Sequence, residues 1–422
     1  MKKKIIFGSI IILSVLLIGL AFLLYHRNSS NNSTPTAQNT KVASFSNIID
    51  ANNQFALDYY SKLKGSEKGN IFFSPFSISS ALAMTYEGAK GQTASEMKGL
   101  FYFPDISILR NEYAALFEEL NKTDKKYTLS TANALWVEQD YKFLADYLQR
   151  IEKYYAGKAT NLDFKKDPER SRIEINNWVE KQTQDKIKNL IPSGVIDSLT
   201  RLVLTNAIYF KGDWVKAFNE TDTNDENFTV SEGNNVKVPM MSRTDKDALF
   251  NYSENKDLQI LELPYSGEEL SMLILLPKGK NLNKVESELT TKKLAEWEKG
   301  FKNERVDIYI PKFKFETNYF MADDLKVMGM STAFSSRADF SGMDGTRNLY
   351  IGQVIHKAFI EVNEKGTEAA AATAVEMKFT SAPGNEEPKI PIFRADHPFI
   401  FLIQQKTSGN ILFMGRVTNP EQ

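Results

Sequence analysis

No cysteine occurs anywhere in the 422 residues. Disulfide bonds, thiolate catalysis, cysteine metal sites and a lipid-modified N-terminal cysteine are therefore excluded. Histidine is nearly as scarce, with His26, His356 and His397 the only three. A two-histidine zinc helix is absent, so no metal site and no cofactor are expected. An excess of one charge is missing as well: Lys and Arg number 52 against 53 Asp and Glu, a net charge of −1. That balance offers nucleic acid no electrostatic footprint and a membrane no basic patch. The chain also lacks a Gly-x-Ser-x-Gly elbow and a glycine-rich phosphate loop. Ser61-x-x-Lys64 and Ser95-x-x-Lys98 match the nucleophile motif of penicillin-recognising hydrolases, and Ser408-Gly409-Asn410 matches a second motif of that class in letters. The Lys-Thr-Gly that such enzymes need does not occur, and both tetrads fall on helical surface. A solvated face is the better reading, and the protein is not expected to be an enzyme.

What is present begins with an apolar run. Lys2, Lys3 and Lys4 precede residues 5–25, where only Gly and Ser interrupt the apolar side chains. The run exceeds a signal-peptide core of about 7–15 residues and approaches the roughly 20 that span a bilayer. No small-x-small cleavage pattern follows at Tyr25-His26-Arg27, and the lysines favour a cytoplasmic N-terminus. Residues 1–27 are expected to form an uncleaved signal anchor, with a cleaved signal peptide as the alternative. Either way the remainder is extracytoplasmic, membrane-anchored or secreted, and meets a membrane through this segment alone. Residues 28–43, rich in Asn, Ser and Thr, bury too little apolar surface to order themselves and read as a flexible linker. One domain is expected over 44–422, with Phe, Tyr and Trp in numbers that fill a large core.

Helical spacing of apolar residues predicts helices over 45–63, 74–86, 108–120, 143–155 and 171–183. Gly88 and Gly91 break the second, and Thr93 with Glu96 has capping-box spacing for another. Residues 71–73 and 127–137 read as strands. The nearly continuous apolar run 202–210 suits a strand covered on both faces. Beyond it strands dominate. A hairpin of 258–263 and 270–276 turns at Ser266-Gly267-Glu268. A helix is predicted over 284–299, and a long strand over 306–315 with a bulge or bend at Pro311. A helix over 320–328, a strand over 350–363 and a hairpin of 398–403 with 411–417 complete the order. His356 on the long strand reads as a hydrogen-bonded core or edge residue. His397 reads as a surface residue at a strand start, and Trp214 as a core aromatic. With no internal repeat and no interior linker, the chain is one α+β domain with large mixed sheets.

Residues 364–377 run Glu-Lys-Gly-Thr-Glu-Ala-Ala-Ala-Ala-Thr-Ala-Val-Glu-Met. They carry no large side chain before Met377. Ala and Glu would support a helix. As a strand the stretch reads equally well: Thr367, Ala369, Ala371, Thr373, Val375 and Met377 share one face, with Glu368 and Glu376 on the other. Such a segment fits between two existing strands without clashing.

Several motifs, in order, resemble one family. Residues 70–78, with Ser74 and Ser77, resemble the shutter segment of serpins. Residues 205–214 resemble their central strand, with Asn206 and the breach tryptophan Trp214. His356-Lys357-Ala358-Phe359 resembles the strand with the shutter histidine, and Glu364-Lys365-Gly366-Thr367-Glu368-Ala369-Ala370 the hinge of the reactive loop, which continues through Ala371 and Ala372. His397-Pro398-Phe399-Ile400-Phe401 and Phe413-Met414-Gly415-Arg416-Val417 resemble the C-terminal strands. The resemblance covers the domain from about Ser44.

It implies the serpin fold: three β-sheets, about eight to nine helices and an exposed reactive-centre loop. It also implies a monomeric, irreversible inhibitor of serine endopeptidases, with cysteine proteases a further possibility. The protease cleaves the loop and forms a covalent acyl complex, and residues 367–377 enter the central sheet. The native state is then a kinetic trap. The resemblance further puts Lys312 beside Glu364, as an ion pair or as two solvated charges. Counting from the hinge as serpins run gives Thr380-Ser381 as the reactive bond, which suits elastase-like or subtilisin-like proteases. Cleavage after Phe379 would suit chymotrypsin-like or subtilisin-like enzymes, and cleavage after Lys378 trypsin-like ones. Residues 383–389 make the segment beyond that bond longer than in most serpins. The alternative is a non-inhibitory serpin acting as a binding protein; the small hinge residues argue against it, because inhibition needs an unobstructed insertion.

Overall fold

The computed structural model describes residues 45–122, 124–367 and 389–421. The chain divides into two units, Met1–Val42 and Ala43–Gln422, of which the second is described. Among the described residues no helix is long and apolar enough to cross a membrane. The segments read as signal anchor, linker and most of the Ala-rich stretch lie outside them.

Ten α-helices and three sheets make up the described domain. Helix Ile48–Ser66 starts where the Asn47 side chain accepts a hydrogen bond from the Asp50 amide, a standard N-cap. Helix Pro75–Tyr86 is capped by Ser74 and begins with proline, and its residues 75–85 are all buried. A helix apolar all round belongs inside a core, and this one packs against the central sheet.

That sheet has six strands, in the order Phe313–Phe320, Gln353–Asn363, Gly366–Thr367, Leu202–Asp213, Tyr127–Glu138 and Lys158–Leu162. It is buried on both faces. Leu204, Ile208 and Phe210 join the large core, while Val203 and Ala207 join a smaller one. The smaller core includes Ile175 and Val179 of helix Pro168–Gln182 and Ile187, Leu190 and Ile191 of the segment after it. This two-sided burial is why residues 202–210 read as one apolar run. The other sheets have seven strands, edged by Ile71–Phe73 and Lys302–Arg305 with the hairpin Phe399–Gln405 and Ile411–Val417 inside, and four strands, edged by Asn224–Ser231 and Ile392–Arg394.

Five local expectations are corrected. The single helix over 284–299 is two, Asn283–Glu288 and Thr291–Glu298. Thr290 divides them, because its hydroxyl caps the second by accepting from the Lys293 amide at 3.1 Å. The long strand over 306–315 is not one strand with a bulge or bend but two, divided between two sheets next to Pro311. Asp307–Pro311 belongs to the four-stranded sheet and Phe313–Phe320 to the six-stranded one. The apolar positions slip by one residue across the break, from Val306, Ile308 and Ile310 to Phe313 and Phe315, and such a slip does not tell a bulge or bend from a change of sheet. Phe320 consequently ends a strand, and the helix is Ala322–Val327. Thr93 and Glu96 form no capping box, since their helix starts at Gly91. Instead the Thr93 hydroxyl accepts from the Asp339 amide at 3.0 Å, and Glu96 accepts from the Thr332 amide at 2.7 Å. Finally, His397 is buried. Its Nδ1 lies 2.8 Å from the Asp396 carboxylate and its Nε2 2.7 Å from the Pro277 carbonyl.

Candidate functional site

Strands Leu202–Asp213 and Gln353–Asn363 run parallel and pair from Val203 with Gln353 to Tyr209 with Phe359. Past that point their upper ends part. The chain turns back at Glu364-Lys365, and Gly366–Thr367 lies between them as a two-residue strand. It is antiparallel to both neighbours: Thr367 stands opposite Val362 on one side and Gly212 on the other, and Gly366 opposite Asn363 and Asp213. A Cβ on residue 366 would fall 2.1 Å from the Gly212 carbonyl oxygen. Only glycine lets the backbones approach this closely.

Thr367 is 1% exposed. Its hydroxyl shares a 2.7 Å hydrogen bond with that of Tyr265, which is fully buried. The Tyr265 ring is stacked on Trp214 at 4.5 Å and meets Phe210 edge-on at 4.9 Å. Gly212 makes room for it, since a Cβ there would lie 2.9 Å from the ring. Burial pushes the Tyr265 phenol far above its usual pKa, so it stays protonated and able to donate.

Trp214 holds the turn. Its indole N–H donates to the Asn363 carbonyl at 3.1 Å and its amide to the Lys365 carbonyl at 2.7 Å. The Phe218 amide takes the Glu364 carbonyl at 2.8 Å. The Glu364 carboxylate accepts from Lys312 Nζ at 2.9 Å and from the Thr223 hydroxyl at 2.8 Å. Burial raises the pKa of this carboxyl, but the bonds from Lys312, its own amide and Thr223 prevail and hold it below the usual range. Lys312 keeps 37% of its side chain exposed, so the pair stabilises the turn modestly, on the order of 1 kcal/mol.

Lower down, Asn206 and His356 face each other across the same two strands. Ser74 caps the buried helix by accepting from the Ser77 amide at 3.1 Å, and its hydroxyl donates to the Leu412 carbonyl at 2.6 Å. Its amide donates to His356 Nε2 at 3.1 Å. With Nε2 accepting, the imidazole hydrogen sits on Nδ1 and goes to Asn206 Oδ1. The Asn206 amide donates in turn to Ser77 Oγ and Asn133 Oδ1, and the Asn133 amide reaches Ser80 Oγ at 2.9 Å. Burial lowers the His356 pKa to about 3, so the ring is neutral at physiological pH.

Ser74, Ser77, Asn206 and His356 thus meet in one network, and Trp214, Lys312, Glu364, Gly366 and Thr367 in another at the upper end of the same strands. Glu368, Ala369, Ala370, Ala371, Ala372, Lys378, Phe379, Thr380 and Ser381 lie outside the described residues. Sequence reasoning did not single out Tyr265, Gly212, Thr223 or Asn133. Only Asn133 left a local signal, as a polar residue on the apolar phase of a strand. Among the described residues no group of three or more His, Asp or Glu could hold a metal ion.

The sequence profile described as Serpin (serine protease inhibitor) matches residues 50–420. An uncharacterized serpin-like protein of Thermococcus kodakarensis is 46% identical over 376 residues, 89% of this chain and 86% of that one. Leukocyte elastase inhibitor A of Rattus norvegicus is 44% identical over 382 residues, 88% of this chain and 99% of that protein. Among solved structures, Serpin48 of the insect Tenebrio molitor, described as a highly specific serpin, is similar with a TM-score of 0.79 at 33% identity, over 88% of this chain and 98% of that one.

Proposed function

The chain belongs to the serpin family of serine protease inhibitors, and we propose that it traps serine endopeptidases by inserting its own cleaved loop into the six-stranded sheet. One observation carries the reading. Gly366–Thr367 already lies between two parallel strands, in antiparallel register with each. The continuation of that register is determined. Thr373 lies six residues beyond Thr367, and six residues back from Gly212 and Val362 are Asn206 and His356, which are already each other's partners. A longer inserted strand therefore meets one consistent pairing on both sides. Thr367, Ala369, Ala371, Thr373, Val375 and Met377 then face the large core, on the side of Phe210, Ile208 and Leu204. Glu368 and Glu376 face the other way.

The chemistry before insertion belongs to the protease. Its serine hydroxyl attacks the carbonyl of the residue before the reactive bond. The amide breaks, an ester to the inhibitor forms, and a new amino terminus leaves at Ser381 in the favoured register. Insertion of the freed segment carries the esterified protease along and distorts its active site before water cleaves the ester. Thr380 suits elastase-like or subtilisin-like targets, and the name of the rat relative supports an elastase-like one. Phe379 and Lys378 keep chymotrypsin-like and trypsin-like targets open. Residues 1–27, read as a signal anchor or signal peptide, put the inhibitor outside the cytoplasm, and it acts as a monomer.

Incubating the domain with a panel of serine proteases tests this reading. An SDS-stable adduct near one-to-one stoichiometry is expected for the wild type. Thr367→Arg should be cleaved without an adduct, because an unpaired charge cannot enter the site beside Tyr265 without a cost of several kcal/mol. Full adduct formation by that variant would overturn the insertion mechanism.

A further inference from the structure

We infer that Tyr265 is a positioning residue that sets the register of the inserting strand; the inference rests on the insertion reading above. The argument starts from what the segment lacks. Ala369, Ala370, Ala371, Ala372 and Ala374 are the same side chain repeated. Main-chain hydrogen bonds form equally well after a slip of two residues, and alanine cannot tell one such register from the next. A slip of one residue is worse, because it turns every inward side chain outward and presents Glu368 where Thr367 belongs. Something outside the segment must mark its first position.

Tyr265 meets that need. Its hydroxyl pairs with the Thr367 hydroxyl at 2.7 Å in a fully buried site. After a two-residue slip Ala369 would stand there and leave the phenol without a partner, a penalty that a buried donor does not escape. The ring cannot follow a misplaced strand. It is clamped between Trp214 and Phe210 and fitted against the missing side chain of Gly212. Its backbone is fixed on both sides: the Tyr265 amide bonds at 2.9 Å to the carbonyl of Leu270, at the start of a strand of the seven-stranded sheet, and Tyr265 forms a β-bridge with Trp214 just past the end of Leu202–Asp213. The marker therefore sits in fixed relation to the strand Leu202–Asp213 with which the hinge pairs. The contact also precedes cleavage, so the register is chosen before insertion begins.

Tyr265→Phe keeps the ring and its stacking and removes only the hydroxyl. In the uncleaved protein, the Gly366 and Thr367 amides should exchange with deuterium about tenfold faster in this variant. Against a protease that the wild type traps, more of the variant should be cleaved without forming an adduct. Adding Thr367→Val removes the stranded hydroxyl and should restore both readings, because replacing both partners of a buried hydrogen bond is nearly neutral. A purely structural role of the ring predicts no such rescue. Equal hinge exchange in wild type and Tyr265→Phe, or a double variant that exchanges as fast as Tyr265→Phe alone, would overturn the inference. A wild type that is cleaved without any adduct would instead sink the trapping mechanism, while hinge exchange would still report on Tyr265.

Discussion

His356 is neutral because nothing around it can stabilise a charge. It is fully buried, its Nε2 is occupied by an amide N–H and its Nδ1–H by the Asn206 carbonyl oxygen. Its folded pKa is about 3 against an ordinary 6.5. As pH falls, the unfolded chain therefore takes up this proton first. The stabilising contribution is complete above about pH 6.5 and declines towards pH 3, by about 1 kcal/mol per pH unit. The urea midpoint of the uncleaved protein should fall across pH 6.5 to 4, and His356→Gln should flatten that slope. An equal slope in the variant would assign the acid sensitivity to other groups. His356 was legible in the sequence because the motif around it is distinctive. Tyr265 was not, because its role depends on a neighbour about one hundred residues away that belongs to a different sheet. Thr93 and Glu96 mislead for a related reason: their spacing suits a local cap, but tertiary partners take both side chains.

Among elements, the strands on either side of the hinge were legible, and the break at Lys312 was legible only as a slip in apolar phase, read as a bulge or bend. Alternation predicts a strand wherever it persists, and it says nothing about which sheet receives the strand. The division has a use: by leaving one sheet and entering another, the chain presents Lys312 to Glu364. The register of the hinge also assigns one residue of the inserting strand a specific task. Under the proposed insertion Thr373 would lie between Asn206 and His356 and move them from adjacent strands to about twice the 5 Å strand spacing. A threonine hydroxyl both donates and accepts, so it can take the His356 Nδ1–H and return a hydrogen to Asn206 Oδ1. Thr373→Val should leave both groups unsatisfied in the cleaved form only. Its uncleaved melting temperature should match that of the wild type, and its cleaved form should melt several degrees lower than the cleaved wild type, corresponding to about 1–3 kcal/mol. Identical cleaved-form melting would show that Thr373 does not reach the shutter.

For the molecule as a whole, the α+β class followed from the sequence, because long apolar strands and amphipathic helices report their own burial, and the three sheets followed from the family resemblance. The gap in the central sheet did not, since a gap has no residues of its own. Insertion of about ten residues would replace the Val203–Tyr209 pairing with Gln353–Phe359 by two pairings, one on each side of the new strand, each added hydrogen bond contributing roughly 1 kcal/mol net. Cleavage between Lys378 and Ser381 should therefore raise the unfolding temperature by more than about 10 °C, readable by scanning calorimetry before and after limited proteolysis. An unchanged transition would mean that the freed segment stays out of the sheet. The docked pair Gly366–Thr367 has one more consequence, which concerns crowds and not single molecules. A strand tethered at its entrance competes for the gap at an effective concentration in the millimolar range. The same gap would accept the equivalent segment of a second copy, but an untethered rival wins only when the protein itself approaches that concentration. Two residues seated in advance would thus favour the molecule's own segment over that of a second copy.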